Sequence, residues 1–116
     1  MEHRLIDKIA IEFNLYYYFL HYYIMYNITD YTKKQAKRLG VQVFPSDNPK
    51  HKIEIYDEDG IYITSVGSPS YSDYPSYMKS HGKEYADKRR ELYKKRHEKN
   101  RHKIGTKSYY ADQLLW

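Results

Sequence analysis

Residues 51–66 read HKIEIYDEDGIYITSV, and this stretch predicts the central element of the fold. Isoleucines alternate with other residues both before and after the dipeptide Asp59-Gly60. Such alternation indicates a half-buried strand, and Asp-Gly is typical of the tight turn that joins two strands of a hairpin. We therefore expect a β-hairpin with a buried face made of Ile53, Ile55, Ile61 and Ile63.

The segment before the hairpin predicts a short basic helix followed by a loop. Thr32 and Gln35 have the spacing of a capping box, and Gly40 is a typical residue at the end of a helix. Residues 41–52, VQVFPSDNPKHK, contain two prolines and an asparagine. These residues favour turns, so we expect residues 41–52 to form a loop.

Three helices are predicted after the hairpin. Asp73 precedes Tyr74-Pro75, a pattern typical of a helix start, and this helix should end near Gly82. Residues 83–100, KEYADKRRELYKKRHEKN, contain neither Gly nor Pro and predict a long helix. Its docking stripe should consist of Tyr85, Ala86, Arg89, Leu92, Tyr93 and Arg96, with the arginine stems lying along the platform. Lys88, Lys94, Lys95 and Lys99 should face away from this stripe. Residues 108–116, SYYADQLLW, predict a short helix or turn with a large apolar load.

The first 26 residues differ from the rest of the chain. Residues 5–13 have a helical apolar stripe, and residues 15–26 are apolar almost all round. Asn14 and His21 interrupt the run, so we do not expect a membrane-spanning helix. Packing on the domain is the favoured role, and membrane contact through residues 5–26 is the alternative. Met25 is an alternative start, which would make the preceding residues an extension.

Together these patterns predict an α+β protein. A small β-hairpin or sheet forms the platform, a long basic C-terminal helix packs on it, and an N-terminal apolar helix completes the chain. We expect residues 1–26 to form the apolar aromatic helix and residues 27–116 to form a single small basic domain. A chain of 116 residues has the length of one domain.

The positive charge of the chain is concentrated in one segment. The formal net charge is +5, but residues 88–103, KRRELYKKRHEKNRHK, have nine basic and two acidic side chains and a charge of +7. The rest of the chain is therefore slightly acidic, at −2. A local excess of this kind is typical of a surface that binds a polyanion. The alternative is a solvated helix face that keeps the protein in solution.

Basic and aromatic residues together favour nucleic acid as the polyanion. The chain has 16 tyrosines, and tyrosine rings stack on unpaired bases or form wet interfaces. For Tyr85 and Tyr93 we expect a packing role, so the basic residues are the stronger signal. The predicted contacts to DNA or RNA phosphates are made by Lys88, Arg90, Lys94, Lys95, Lys99, Arg101 and Lys103.

We expect no catalytic residues, cofactor or metal, and therefore no enzymatic activity. His97 and His102 resemble a zinc-protease pair but are five residues apart rather than four, which places them on different sides of a helix. The sequence GIYIT of residues 60–64 is similar to half of a GIY-YIG nuclease core, but the second half is missing. The adjacent carboxylates of residues 57–59 suggest a cation site, but a hairpin turn uses Asp and Gly for backbone reasons alone. Cysteine is absent, so no disulfide or thiolate site is expected, in keeping with a reducing compartment.

Residues 29–116 resemble a family of short uncharacterised proteins of large DNA viruses that infect algae and amoebae. The most specific stretches are DYPSY at residues 73–77, YADKRRELYKKRHEKNRH at residues 85–102 and YYADQLLW at residues 109–116. The family carries no assigned reaction, so the resemblance implies a viral setting without implying a mechanism. It implies a location in the virion or in the host cytoplasm or nucleus.

Two functions remain open at this point. In the first, a small virion-associated protein contacts nucleic-acid phosphates through residues 88–103 without reading the base sequence. In the second, a minor capsid or cement protein uses the same helix and its tyrosines to bind acidic surfaces of capsid proteins. Salt-dependent binding to DNA distinguishes the two.

Overall fold

The computed structural model describes residues 25–116, which form an α+β fold of four helices and one three-stranded antiparallel sheet. The predicted fold class is therefore confirmed. The predicted helix over residues 1–26 lies outside the described residues apart from its last two. The elements in chain order are α1 (Asp30–Leu39), β1 (Gln42–Pro45), β2 (Ile53–Tyr56), β3 (Tyr62–Val66), α2 (Tyr74–His81), α3 (Lys83–His97) and α4 (Lys107–Leu115).

Strand β1 corrects the prediction of a loop over residues 41–52. Gly40 adopts a left-handed conformation with φ of 71° and ends α1, so the chain turns directly into β1. Val43 of β1 then pairs with Ile55 of the central strand β2. Pro45 has no N–H group but is tolerated because β1 is an edge strand. Pro45 is therefore the last residue of a strand, and only the residues between it and β2 form the predicted loop.

The hairpin of β2 and β3 is confirmed, but its buried face differs from the predicted one. Ile53 and Ile55 are fully buried, whereas Ile61 is 64% exposed. Ile61 belongs to the turn, where its N–H group donates to the Asp57 carboxylate at 2.9 Å. The register also shifts after Ile55, which pairs with Thr64. A bulge of this kind changes which residues face the core.

The cap of α1 is also different from the predicted capping box. Thr29, not Thr32, accepts the capping hydrogen bond, which comes from the Thr32 N–H group at 3.2 Å. Thr32 lies inside the helix, is fully buried, and donates its hydroxyl to the carbonyl of Leu114 at 2.7 Å. Thr32 therefore joins α1 to α4 at the two ends of the described chain.

The core lies between α1, the inner face of the sheet and α4. The buried core residues come from all three, because each element presents small or branched apolar side chains to the same space. They are Ala36, Ile53, Ile55, Val66, Leu114 and Leu115. The predicted apolar C-terminal helix is confirmed as α4, which Thr106 caps.

Helices α2 and α3 form a second layer, and they position the basic segment. Asp73 caps α2 as predicted, with its carboxylate accepting from the Ser76 N–H group at 3.0 Å, and Gly82 ends the helix. On α3 the predicted docking stripe is only partly buried. Ala86 is fully buried, but Leu92 is 50% exposed. The neighbouring helices are short, so they cover only parts of the long stripe.

Candidate nucleic-acid interface

The basic segment of residues 88–103 lies partly on α3 and partly on the turns that follow it. Helix α3 has no proline, and its last turn contains Lys94, Lys95, Arg96 and His97. Cations at this end of a helix are favourable because the carbonyl groups there carry partial negative charge. The segment is thus held on a regular helix for most of its length.

Lys94 and Arg101 of the predicted site are engaged by a buried carboxylate. The ammonium group of Lys94 lies 2.8 Å from Asp112 of α4, which is only 1% exposed. The guanidinium of Arg101 lies 3.6 Å from the same carboxylate and 2.8 Å from Glu98. A buried charge without a partner is strongly destabilising, so Asp112 requires these cations. We expected Lys94 to point away from the platform, and its contact with α4 makes that expectation wrong.

Arg90 is also held by contacts inside the protein. Its guanidinium carbon lies 3.3 Å from the centre of the Tyr74 ring, and one terminal nitrogen donates to the Tyr31 hydroxyl at 3.1 Å. Its Nε atom is buried without a hydrogen-bond partner in residues 25–116. Tyr74 therefore links α3 to α2 and Tyr31 links it to α1, and the two contacts leave only part of the guanidinium free for an external phosphate.

The other four predicted contacts are exposed, namely Lys88, Lys95, Lys99 and Lys103. Lys88 has a distant partner in Glu84 at 3.8 Å, with 73% of the lysine side chain exposed. Within residues 25–116 no carboxylate lies within 4 Å of the ammonium groups of Lys95, Lys99 and Lys103. We call these four residues the lysine face.

The lysine face has a spacing that suits a phosphate backbone. Lys88 and Lys95 are seven residues apart on α3, which places them on the same side of the helix. With a rise of about 1.5 Å per residue, their separation along the axis is about 10.5 Å. Phosphates on one strand of B-DNA follow one another every 3.4 Å or so along the duplex axis. The spacing of these two lysines therefore matches that of different phosphates on one strand.

Two further cations of α3, Arg89 and Arg96, were not among the predicted phosphate contacts. Both were assigned to the docking stripe, but no carboxylate of the described residues pairs with either, and Arg96 is exposed. Both line a cavity of about 460 Å³ between α3, the end of α4 and the loop of residues 67–73. The sequence signal that could have identified these two residues was an arginine within an otherwise apolar helical stripe. A long cationic side chain at such a position must reach an edge or an opening.

Aromatic rings form much of the wall of this cavity. Tyr93 stacks on Trp116 with ring centres 4.3 Å apart and planes at 7°, and Tyr77 lies 6.2 Å from Trp116. Burial, with a smaller contribution from Asp112, raises the pKa of Tyr93 to about 12. Tyr85, for which we also expected a packing role, is 40% exposed and stacks on His81 instead.

The two histidines that resembled a zinc pair have other contacts. His97 lies against the Tyr93 ring at 4.3 Å, and His102 lies 2.7 Å from Glu98. Within residues 25–116 no three His, Asp or Glu side chains are grouped to hold a metal ion. In the same part of the chain, none of the helices combines the length and apolar character that crossing a bilayer requires.

Comparisons with protein families, with curated proteins and with solved structures returned no match to this chain.

Proposed function

We propose that this protein binds nucleic acid through its phosphate backbone, without reading the base sequence, and that it does no chemistry on it. The single observation that carries the proposal is the lysine face. Its four ammonium groups are exposed, and three of them have no carboxylate partner among the described residues. Lysines of this kind can move to a phosphate without breaking an internal ion pair.

The physical driving force is the release of counterions. Each phosphate that a lysine neutralises frees condensed cations into the solvent, which favours binding at low salt. Of the seven predicted contacts, the proposed ones are Lys88, Lys95, Lys99 and Lys103. Arg90, Lys94 and Arg101 are left out of the proposed contacts, because each already has a partner in the protein.

The proposed setting is a virus particle or an infected cell. It rests only on the resemblance of residues 29–116 to short proteins of large DNA viruses, for which the comparisons found no match. In that setting the phosphate backbone is that of packaged DNA. A minor capsid or cement protein that binds acidic protein surfaces is the competing function.

Salt titration of DNA binding tests the proposal. With four phosphate contacts, log affinity should fall against log salt with a slope of about −3 to −4 on two unrelated duplexes alike. The double variant Lys95→Ala/Lys99→Ala should flatten the slope by about two units. The control Lys37→Ala/Lys50→Ala removes the same net charge from exposed lysines elsewhere.

Three results bear on the choice between functions. A slope that changes only in the Lys95/Lys99 variant supports the lysine face. Equal losses in both double variants would mean that net charge alone attracts the DNA. Negligible binding near physiological salt, unchanged by either variant, would exclude nucleic acid and favour the capsid role.

A further inference from the structure

We infer that the cavity beside α3 binds the base and phosphate of one unpaired nucleotide. This inference rests on the proposed function, which it deepens by naming single-stranded nucleic acid as the preferred form. We call the cavity the aromatic cavity. Its volume of about 460 Å³ lies within the usual range of small-ligand sites.

Tyr71 supplies a free stacking surface at the aromatic cavity. It lies in the loop of residues 67–73, lines the cavity and is 75% exposed. No other aromatic ring of the described residues packs against it. A tyrosine on a loop with an uncovered ring face is a typical platform for an unstacked base, because every base has a π-face.

Arg89 and Arg96 determine the charge of the ligand. They are seven residues apart, so they lie on one side of α3, and both line the aromatic cavity. Asp73, a carboxylate in the cavity wall, is already paired with the ammonium group of Lys52 at 2.9 Å. The two arginines are therefore not neutralised by the wall. An anionic ligand is favoured, and a cation of the kind that aromatic cages bind is excluded by repulsion.

The remaining wall suits a flat ring. Tyr93 and Trp116 present stacked rings, and Arg89 lies 5.3 Å from the centre of the Tyr77 ring, which keeps its guanidinium at the wall. The Tyr93 hydroxyl is neutral at physiological pH, as an ordinary tyrosine is, so it brings no negative charge against a phosphate. Aromatic walls with two arginines match a ligand that joins a planar base to a phosphate.

The aromatic cavity and the two α3 residues of the lysine face, Lys88 and Lys95, lie on neighbouring sides of the same helix, which ends at His97. Arg96 directly follows Lys95, and successive residues of a helix are about 100° apart around its axis. A strand whose base enters the cavity can therefore continue with its phosphates over Lys95 and Lys88. The same cavity also suits a free nucleotide, so the test must distinguish a nucleotide within a strand from a free nucleotide.

A second aromatic cluster offers a contrast. Phe44, Tyr56 and Tyr62 lie edge to face on the outer side of the sheet, with ring centres 5.5 and 5.6 Å apart. The Tyr56 hydroxyl there donates to the Glu54 carboxylate at 3.0 Å. A carboxylate at this position repels phosphate. Tyr62, which is 54% exposed, therefore provides a matched control for Tyr71.

Tryptophan fluorescence provides the measurement, because Trp116 is the single tryptophan of the chain and lines the aromatic cavity. The full 116-residue protein is titrated with adenosine monophosphate, with a thymidine oligonucleotide of about ten nucleotides, and with a duplex of equal length. The single strand should quench Trp116 and bind more tightly than the duplex. A single strand that binds more tightly than the mononucleotide identifies a strand as the source of the base. The reverse order identifies a free nucleotide.

Variants of Tyr71 test whether the cavity causes the preference. Tyr71→Ala should lower the ratio of single-strand to duplex affinity by about 5- to 150-fold, the effect of one lost base–ring stack. Tyr71→Phe should keep the ratio because it keeps the ring, and Tyr62→Ala should keep it because that ring lies elsewhere. Circular dichroism confirms that each variant is folded.

The outcomes separate this inference from the proposed function. If single strand and duplex bind equally and Tyr71→Ala changes nothing, the cavity inference is overturned while backbone binding stands. If duplex binding is absent but nucleotides quench Trp116 in a Tyr71-dependent way, the cavity inference stands and backbone binding is overturned. If no nucleotide quenches Trp116 and nothing binds, both are overturned.

Discussion

Asp73 joins three separate parts of the described chain through its side chain. Its carboxylate accepts from the Ser76 N–H group at 3.0 Å, from the Lys52 ammonium at 2.9 Å and from the Tyr26 hydroxyl at 2.7 Å. Asp73 and Lys52 are 1% and 7% exposed. Burying such a pair is costly, so its stability depends on all of these contacts being made. One side chain thereby caps α2, neutralises a buried lysine and fixes the start of the described chain.

The hydrogen bonds of Asp73 predict a loss of stability in acid. Burial alone would raise the pKa of this carboxyl, but the hydrogen bonds from Ser76, Tyr26 and Lys52 and the charge of Lys52 outweigh it, so the pKa is lowered. A carboxyl with a lowered pKa contributes stability above its unfolded value of about 3.9, and that contribution is lost as the pH falls through the folded value.

Urea unfolding at several pH values measures this contribution. The free energy of unfolding of the parent should fall between about pH 5 and pH 2. Asp73→Asn should be less stable than the parent at neutral pH and should lose less stability over the same interval. Equal losses in the two proteins would show that Asp73 does not contribute to acid unfolding.

Packing between elements depends on a glycine next to β3. Gly67 has a φ of 86°, and a Cβ atom added there would lie 2.8 Å from Leu115 Cδ1 and 3.1 Å from Lys52 Cβ. Leu115 is a core residue that is 2% exposed and cannot easily move. The strand therefore approaches α4 closely only because no side chain stands between them.

A pair of glycine variants separates backbone strain from crowding. Gly67→Ala and Gly60→Ala both place a side chain at positive φ, but nothing lies within 4 Å of the added atom at Gly60. Each should lose roughly 1–2 kcal/mol to the backbone conformation. Gly67→Ala should lose about 1–3 kcal/mol more through overpacking. Equal losses in urea unfolding would mean that α4 moves aside without cost.

At the scale of the molecule, α4 joins the two layers. Leu114 and Leu115 complete the core with α1 and the sheet, while Trp116 stacks on Tyr93 of α3. The basic segment is attached to the same helix, because Lys94 and Arg101 contact Asp112. The lysine face, the aromatic cavity and the core should therefore be gained or lost together.

Coincident unfolding of two probes tests this coupling. Far-ultraviolet circular dichroism reports all helices, whereas Trp116 fluorescence reports the contact of α4 with α3. Both should give the same urea midpoint, as in a two-state domain. Leu114→Ala should shift both midpoints together and cost about 2–5 kcal/mol, because its side chain is fully buried. A fluorescence change at lower urea than the dichroism change would show that α4 detaches separately.

Much of the architecture was predictable from local patterns. The hairpin, the ends of α1 and α2 at Gly40 and Gly82, and the cap at Asp73 depend on alternation and turn chemistry within a few residues. The incorrect predictions had other causes. Pro45 suggested a loop because the sequence of one segment does not show whether that segment forms the edge of a sheet. The isoleucine pattern did not reveal the bulge that places Ile61 in the turn.

The sequence by itself determined the α+β class and the position of the basic segment, because periodicity, caps and charge are properties of neighbouring residues. Only the tertiary structure decided which cations are free. Lys94 is paired with Asp112 across 18 residues of chain, and Arg90 is held by Tyr31 across 59. The aromatic cavity likewise joins Tyr71 of one loop to Arg89 and Arg96 of α3. Such partners come together only when the core closes, and no local pattern contains them.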